Sequence, residues 1–87
     1  MGILVKRVDE RITDVDVNEK LLTVYLKDGR IIAVPLNWYP RLKKANEISR
    51  RHWEICGGGY GIHWPDIDED LSVEGILRSS HSGQQSR

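Results

Sequence analysis

Two apolar segments joined by a short polar turn are the feature that most constrains the fold. Residues 21–26 and 31–36 are rich in Leu, Val and Ile, which is typical of strands, and Lys27-Asp28-Gly29-Arg30 separates them. An Asp-Gly pair between two such segments is a strong short-range signal for a β-hairpin. Because proline cannot donate a hydrogen bond within a sheet, Pro35 predicts that the second strand lies at a sheet edge or ends there.

The turn chemistry selects between two registers of this hairpin. A two-residue Asp28-Gly29 loop would place Val24 opposite Ala33, whereas a type I turn with Gly29 in a left-handed bulge position places Val24 opposite Ile32. The bulged turn gathers the larger side chains on one face, and a slip of one residue would scatter them. We therefore predict the bulged register, which also pairs Leu26 with Arg30 and Leu22 with Val34.

Segments on either side of the hairpin predict further strands. Residues 12–17 alternate, which predicts a strand with Ile12, Asp14 and Asp16 on one face and Thr13, Val15 and Val17 on the other. Ile62-His63-Trp64 is predicted to be a short strand that ends at Pro65. Residues 71–77 provide a last apolar segment.

A helical pattern begins at Pro40. Its apolar positions, which run from Leu42 to Trp53, share one face, so Trp53 is predicted to lie in the core. Asn46 is a candidate N-cap, and in that case the segment divides into a short turn and a helix from Glu47 to about Glu54.

These elements predict a single α+β domain over residues 1–78, a small antiparallel sheet with one main covering helix. Residues 79–87 are polar and are predicted to form a disordered tail.

Composition excludes several classes of protein. Thirteen basic and thirteen acidic residues give a formal net charge of zero, which argues against direct nucleic-acid binding because such domains usually carry a positive field. Cys56 is the single cysteine, so an internal disulfide is excluded, and we predict a buried structural thiol in a reducing compartment. The apolar run at the N-terminus is too short for a signal peptide or a membrane span. We expect a cytoplasmic protein without membrane contact.

An acidic segment, residues 66–70, follows a run with four glycines in five positions. Its carboxylates are Asp66, Asp68, Glu69 and Asp70. The Asp-x-Asp-x-Asp spacing is similar to the start of a calcium loop, but Leu71 and Leu77 replace the Gly and Glu that such a loop requires. The glycine run also lacks the Gly-Lys-Ser/Thr ending of a phosphate-binding loop. We expect no cofactor.

Aromatic residues near these segments are candidates for exposed contacts. Trp38 and Trp64 lie close to prolines at the ends of predicted elements, where half-exposed aromatic side chains often anchor interfaces. The predicted partner-binding residues are Trp38, Tyr60, His63, Trp64, Asp66, Asp68, Glu69 and Asp70.

A longer series of residues resembles one bacterial family. The most specific motif is Trp64-Pro65-x-x-Asp68-Glu69-Asp70-Leu71-Ser72-Val73, and Lys27-Asp28-Gly29-Arg30 and Trp38-Tyr39-Pro40-Arg41-Leu42 accompany it. Together they resemble the domain-of-unknown-function family 2442. The resemblance implies a small α+β protein with no established enzymatic activity. It also implies an antitoxin-like partner of the uncharacterised family 4160, whose genes are often neighbours of this family's genes.

Three hypotheses about function follow. The preferred one is a non-catalytic protein-binding module, the antitoxin-like member of a toxin–antitoxin pair, which contacts a small basic partner through the acidic segment. The alternative is a metal-binding or catalytic domain centred on His63 and Asp66, Asp68 and Asp70. A third is a homodimer in which the basic helix surface of one copy contacts the acidic segment of the other.

Overall fold

The predicted hairpin forms two strands of a three-stranded antiparallel sheet in the computed structural model, which describes residues 7–82. Its strands are β1 (Ile12–Val17), β2 (Leu21–Leu26) and β3 (Ile31–Pro35), in the spatial order β1-β2-β3. β3 therefore lies at the sheet edge and ends at the proline, as predicted.

The bulged register of the hairpin is confirmed. Val24 pairs with Ile32. The backbone N–H of Leu26 donates to the carbonyl of Arg30 at 2.9 Å. Gly29 has a φ of +99°, a conformation that glycine adopts without the steric cost of a Cβ atom.

β1 departs from the predicted alternation. Ile12 pairs with Leu26 and Asp14 pairs with Tyr25, so one extra residue, Thr13, forms a β-bulge between them. The bulge brings Ile12 onto the buried face together with Val15, while the aspartates stay exposed. The prediction that grouped Ile12 with the aspartates is wrong, because it assumed a regular strand.

A second three-stranded antiparallel sheet lies in the C-terminal half. The sequence predicted one sheet only. Its strands are β4 (Glu54–Cys56), β5 (Gly61–Trp64) and β6 (Glu69–Ser72), in the order β4-β5-β6. Only β5 was predicted as a strand. The turn between β4 and β5 consists of Gly57–Gly59, all with positive φ, which explains the glycine run as a backbone requirement.

The helical pattern after Pro40 forms two short helices, α1 (Pro40–Lys44) and α2 (Glu47–Arg51). The predicted N-cap is confirmed, because the side chain of Asn46 accepts a hydrogen bond from the backbone N–H of Ser49 at 2.8 Å. The helix ends before Glu54, which belongs to β4 instead.

The longest helix, α3 (Val73–Ser82), follows β6 directly and packs against β6 and β3. The hydroxyl of Ser72 accepts a hydrogen bond from the backbone N–H of Gly75 at 3.0 Å and so caps its first turn. Residues 79–82 are helical, so the tail prediction is wrong there. A capped helix anchored by buried Val73 and Ile76 extends through polar residues at little further cost. The remainder of the predicted tail, residues 83–87, lies outside the described residues.

A single core joins the two sheets and the helices, and the predicted α+β class is confirmed. Trp53 packs against the core but is only partly buried. Within residues 7–82, no helix has the length and apolar character needed to cross a membrane. The buried apolar residues are Ile12, Val15, Leu22, Val24, Leu26, Val34, Leu36, Leu42, Ile62, Trp64, Val73 and Ile76.

Candidate functional site

The outer face of the second sheet carries a row of three ionisable side chains. Residues on β4, β5 and β6 that pair directly with one another are Glu54, His63 and Asp70, so their side chains stand on the same face. The two neighbours of His63 in β5 are Ile62 and Trp64. Their side chains point to the opposite face of the sheet and are buried. The row results from the period of two in β5, which sends its apolar residues inward and its histidine outward.

The histidine of this row is held by its neighbours. Nδ1 of His63 lies 2.6 Å from Oδ1 of Asp70. The hydrogen bond with Asp70 is the main cause that raises the pKa of His63. Desolvation partly offsets it, and the negative charges of Asp70, Glu54 and Asp68 each raise the pKa by a smaller amount. The Asp70 side chain is still 71% exposed, so its carboxylate remains accessible to a partner.

The acidic segment forms the turn between β5 and β6 together with the first two residues of β6, and its carboxylates point in different directions. Oδ1 of Asp66 lies 3.1 Å from Nδ1 of His52. Nη1 of Arg41 donates to the backbone carbonyl of Asp68 at 2.8 Å and lies 3.8 Å from Oε1 of Glu69. Asp68 has a φ of +52°, a turn conformation that Asp tolerates better than most residues.

Asp68 differs from the other three carboxylates of the segment. Among the described residues, no cation lies within ion-pair distance of its side chain, which is exposed. Glu69 is the opposite case, because its side chain is only 18% exposed. Asp68 and Asp70 are therefore the carboxylates of the segment best placed to meet another molecule. We call Glu54, His63, Asp66, Asp68 and Asp70 the acidic face.

The aromatic residues of the predicted set separate into different places. Trp64 is fully buried, and its Nε1–H donates to the carbonyl of Arg50 at 3.1 Å. Its prediction as an exposed anchor is wrong, because Trp64 shares the inward face of β5 with Ile62. Trp38 is 42% exposed and Tyr60 is 51% exposed, as an anchor requires.

Tyr60 and the acidic turn are not brought together. Tyr60 precedes β5 and the turn follows it, so the four-residue strand of about 13 Å separates them. Trp38 lies in the 3-10 turn before α1, the helix whose Arg41 reaches Asp68.

The metal-binding alternative requires side chains that converge. Asp70 pairs with His63 on the strands, whereas Asp66 turns toward His52. Over residues 7–82, no three His, Cys, Asp or Glu side chains come close enough to hold one ion. The predicted constellation of His63 with three aspartates is therefore not assembled.

Cys56 is exposed, so the prediction of a buried thiol is wrong. It belongs to the edge strand β4, all of whose residues are exposed, and its Sγ lies over Gly61 of β5, where an added Cβ would approach the sulfur to 3.0 Å. Glu54 was not identified as a site residue from the sequence. It was assigned to the end of the preceding helix, because β4 is only three residues long and has no strand pattern of its own.

Comparison with known proteins gives a family and no activity. The family described as "Protein of unknown function (DUF2442)" matches residues 12–82. A crystal structure of a protein of unknown function from Rhodospirillum rubrum ATCC 11170 is similar, with 30% identity and a TM-score of 0.70 over 83% of this chain and 89% of that chain. The curated proteins contain no match to this chain.

Proposed function

We propose that this chain, which belongs to the DUF2442 family of proteins of unknown function, is a non-catalytic protein-binding module whose acidic face binds a basic partner protein. The observation that supports this proposal is the grouping of exposed carboxylates around His63: Glu54 and Asp70 pair with it on the sheet, and Asp68 is near enough for its charge to act on it. The chain as a whole has zero formal net charge. An accumulation of one sign of charge favours association with a surface of the opposite sign.

The neighbouring cations do not cancel this negative charge. His52 contacts Asp66 and His63 contacts Asp70, and neither histidine forms an ion pair with Asp68. Arg41 makes its shorter contact with the carbonyl of Asp68 and stands 3.8 Å from the Glu69 carboxylate. A partner that supplies Lys or Arg would therefore gain Coulombic attraction at Asp68 and Asp70.

The specific role that we propose is that of a cytoplasmic antitoxin-like protein whose partner is a small basic toxin-like protein. The resemblance to family 2442 supports this role through its association with family 4160. The lone exposed cysteine is compatible with a reducing compartment.

The experiment is co-expression of the tagged chain with a protein of family 4160 as the candidate partner, followed by pull-down and calorimetry. We expect Asp68→Asn with Asp70→Asn to weaken binding about tenfold or more, because two exposed charges are removed with little change in shape. Asp16→Asn with Glu19→Gln is the matched control, since it removes two exposed charges elsewhere on the surface.

Wild-type affinity for the acidic-face variant, or equal weakening by the control, would contradict the proposal. Size-exclusion chromatography with light scattering separates it from the homodimer hypothesis. A dimer that forms without the partner and dissociates in the Asp68→Asn with Asp70→Asn variant would show that the face binds a second copy instead.

A further inference from the structure

Strand β6 has one unpaired edge among the described residues. It pairs with β5 on one side and is the last strand of its sheet on the other. An edge of this kind presents backbone N–H and C=O groups in the spacing that another extended chain requires.

The register identifies which backbone groups point outward. The N–H of Val73 donates to the carbonyl of Tyr60 at 2.9 Å, and these two residues continue the β5–β6 ladder beyond the Gly61–Ser72 pair. Hydrogen-bonded and non-hydrogen-bonded pairs alternate in an antiparallel ladder. The His63–Asp70 and Gly61–Ser72 pairs are therefore of the second kind, and the backbone groups of Asp70 and Ser72 point away from β5.

A groove adjoins this edge. It has a volume of about 240 Å³, and Tyr39 and the first turns of α3 form its walls. The residues that line it are Tyr39, Asp70, Leu71, Ser72, Gly75, Ile76 and Ser79. Because Gly75 has no side chain, the α3 side of the groove projects little into it. An extended chain therefore has room beside β6.

We propose that this groove binds an extended basic segment of the partner protein, which adds to β6 as a fourth strand of the second sheet. The proposal rests on the proposed function and specifies how the partner is held. Main-chain hydrogen bonds to the N–H and C=O of Asp70 and to the N–H of Ser72 supply affinity, whereas the Ser72 carbonyl belongs to the first turn of α3. Alternate side chains supply specificity. Residues of the segment on the outer side meet the carboxylates of Asp68 and Asp70, whereas those on the inner side meet Leu71 and Tyr39.

Charge favours a basic segment over a second copy of this chain. Pairing β6 with another β6 would place Glu69 and Asp70 of one copy against the same acidic strand of the other. Like charges on opposed strands are destabilising. A segment that alternates basic and apolar residues has the complementary pattern for both sides of β6.

The test uses a synthetic peptide of alternating Lys and Val, seven residues long, with the full chain as receptor. Ser72→Pro removes the outward N–H and places the proline ring at the edge, where proline is tolerated because that N–H takes no part in the β5 ladder. Ser72→Ala is the matched control, since it also loses the cap on Gly75 but keeps the N–H. Circular dichroism verifies that both variants fold.

We expect the peptide to bind the wild type and the Ser72→Ala variant within about twofold of each other, and Ser72→Pro to lose about tenfold or more in affinity. Hydrogen exchange at the amides of Asp70 and Ser72 should slow when the peptide is bound. The same peptide with methylated backbone nitrogens keeps its charges but should not bind.

Two results would overturn the edge proposal. The first is no binding of the Lys-Val peptide to the wild type. The second is binding that Asp68→Asn with Asp70→Asn weakens while Ser72→Pro does not, with exchange at residues 70 and 72 unchanged. The second result would leave the proposed function standing, because the acidic face would then bind its partner by side-chain charge alone. The proposed function is tested separately, by the affinity of the co-expressed partner for the Asp68→Asn with Asp70→Asn variant and for its control.

Discussion

Replacement of Trp64 by alanine should unfold or nearly unfold the chain. The indole is fully buried in the core, and truncation of a buried Trp costs about 3–5 kcal/mol. The Nε1–H bond to Arg50 contributes roughly 1 kcal/mol more. That carbonyl lies in the last turn of α2, where it has no partner within the helix.

The loss is large compared with the stability of a chain this short. At roughly 0.05–0.15 kcal/mol per residue, the free energy of unfolding is about 4–13 kcal/mol. With a urea m-value of about 1 kcal/mol per molar, the midpoint for Trp64→Ala should fall by about 4 M or more.

Urea titration followed by far-UV circular dichroism measures this shift, and Trp38→Ala is the matched control. Trp38 is 42% exposed, so its truncation should cost below about 1 kcal/mol. A stable Trp64→Ala variant beside an unfolded Trp38→Ala variant would refute the assignment of Trp64 to the core.

Three further predictions concern the turn, the acid response and the acidic face. Gly29→Val should lower the free energy of unfolding by about 1–2 kcal/mol through the positive φ alone, because nothing lies within 4 Å of the added Cβ; an unchanged urea midpoint would refute this. The guanidinium of Arg11 and its backbone N–H lower the pKa of Asp9 to about 2, and Arg30 lowers the pKa of Asp28. Their stabilisation is therefore complete above the ordinary carboxyl pKa and lost as the pH falls toward 2, so Asp28→Asn should unfold with a weaker pH dependence between pH 4 and 2 in acid titration. Asp70→Asn should lower the pKa of His63 measured by NMR, and an unchanged value would show that the 2.6 Å contact does not persist in solution.

The hairpin was predictable because its determinants are local. Asp28-Gly29 selects the turn, and the alternation of Leu22, Val24 and Leu26 selects the register. The same is true of Asn46, whose capping bond reaches only three residues along the chain.

The acidic segment was not predictable in the same way. Its carboxylates are distributed by contacts with residues distant in sequence, such as Arg41 at Asp68 and His52 at Asp66. The pairing of Asp70 with His63 requires β6, and the acidic sequence of that strand gives no strand signal of its own.

For Trp64, two local sequence features gave opposite predictions, and the wrong one was preferred. The period of two places it on the same face as Ile62, which predicts burial. Its position before Pro65, at the end of the strand, suggested exposure instead. Its burial in the core and its Nε1–H bond to Arg50 depend on tertiary contacts that sequence patterns do not contain.

The most direct test of the central claim is an NMR titration of the isotope-labelled chain with the proposed basic partner protein. Binding through the acidic face predicts that the largest amide shift changes occur at Glu54, His63, Asp68 and Asp70, and that they decrease as salt is added. Changes concentrated on the first sheet, around β1 and β2, with the acidic face unaffected, would contradict the account.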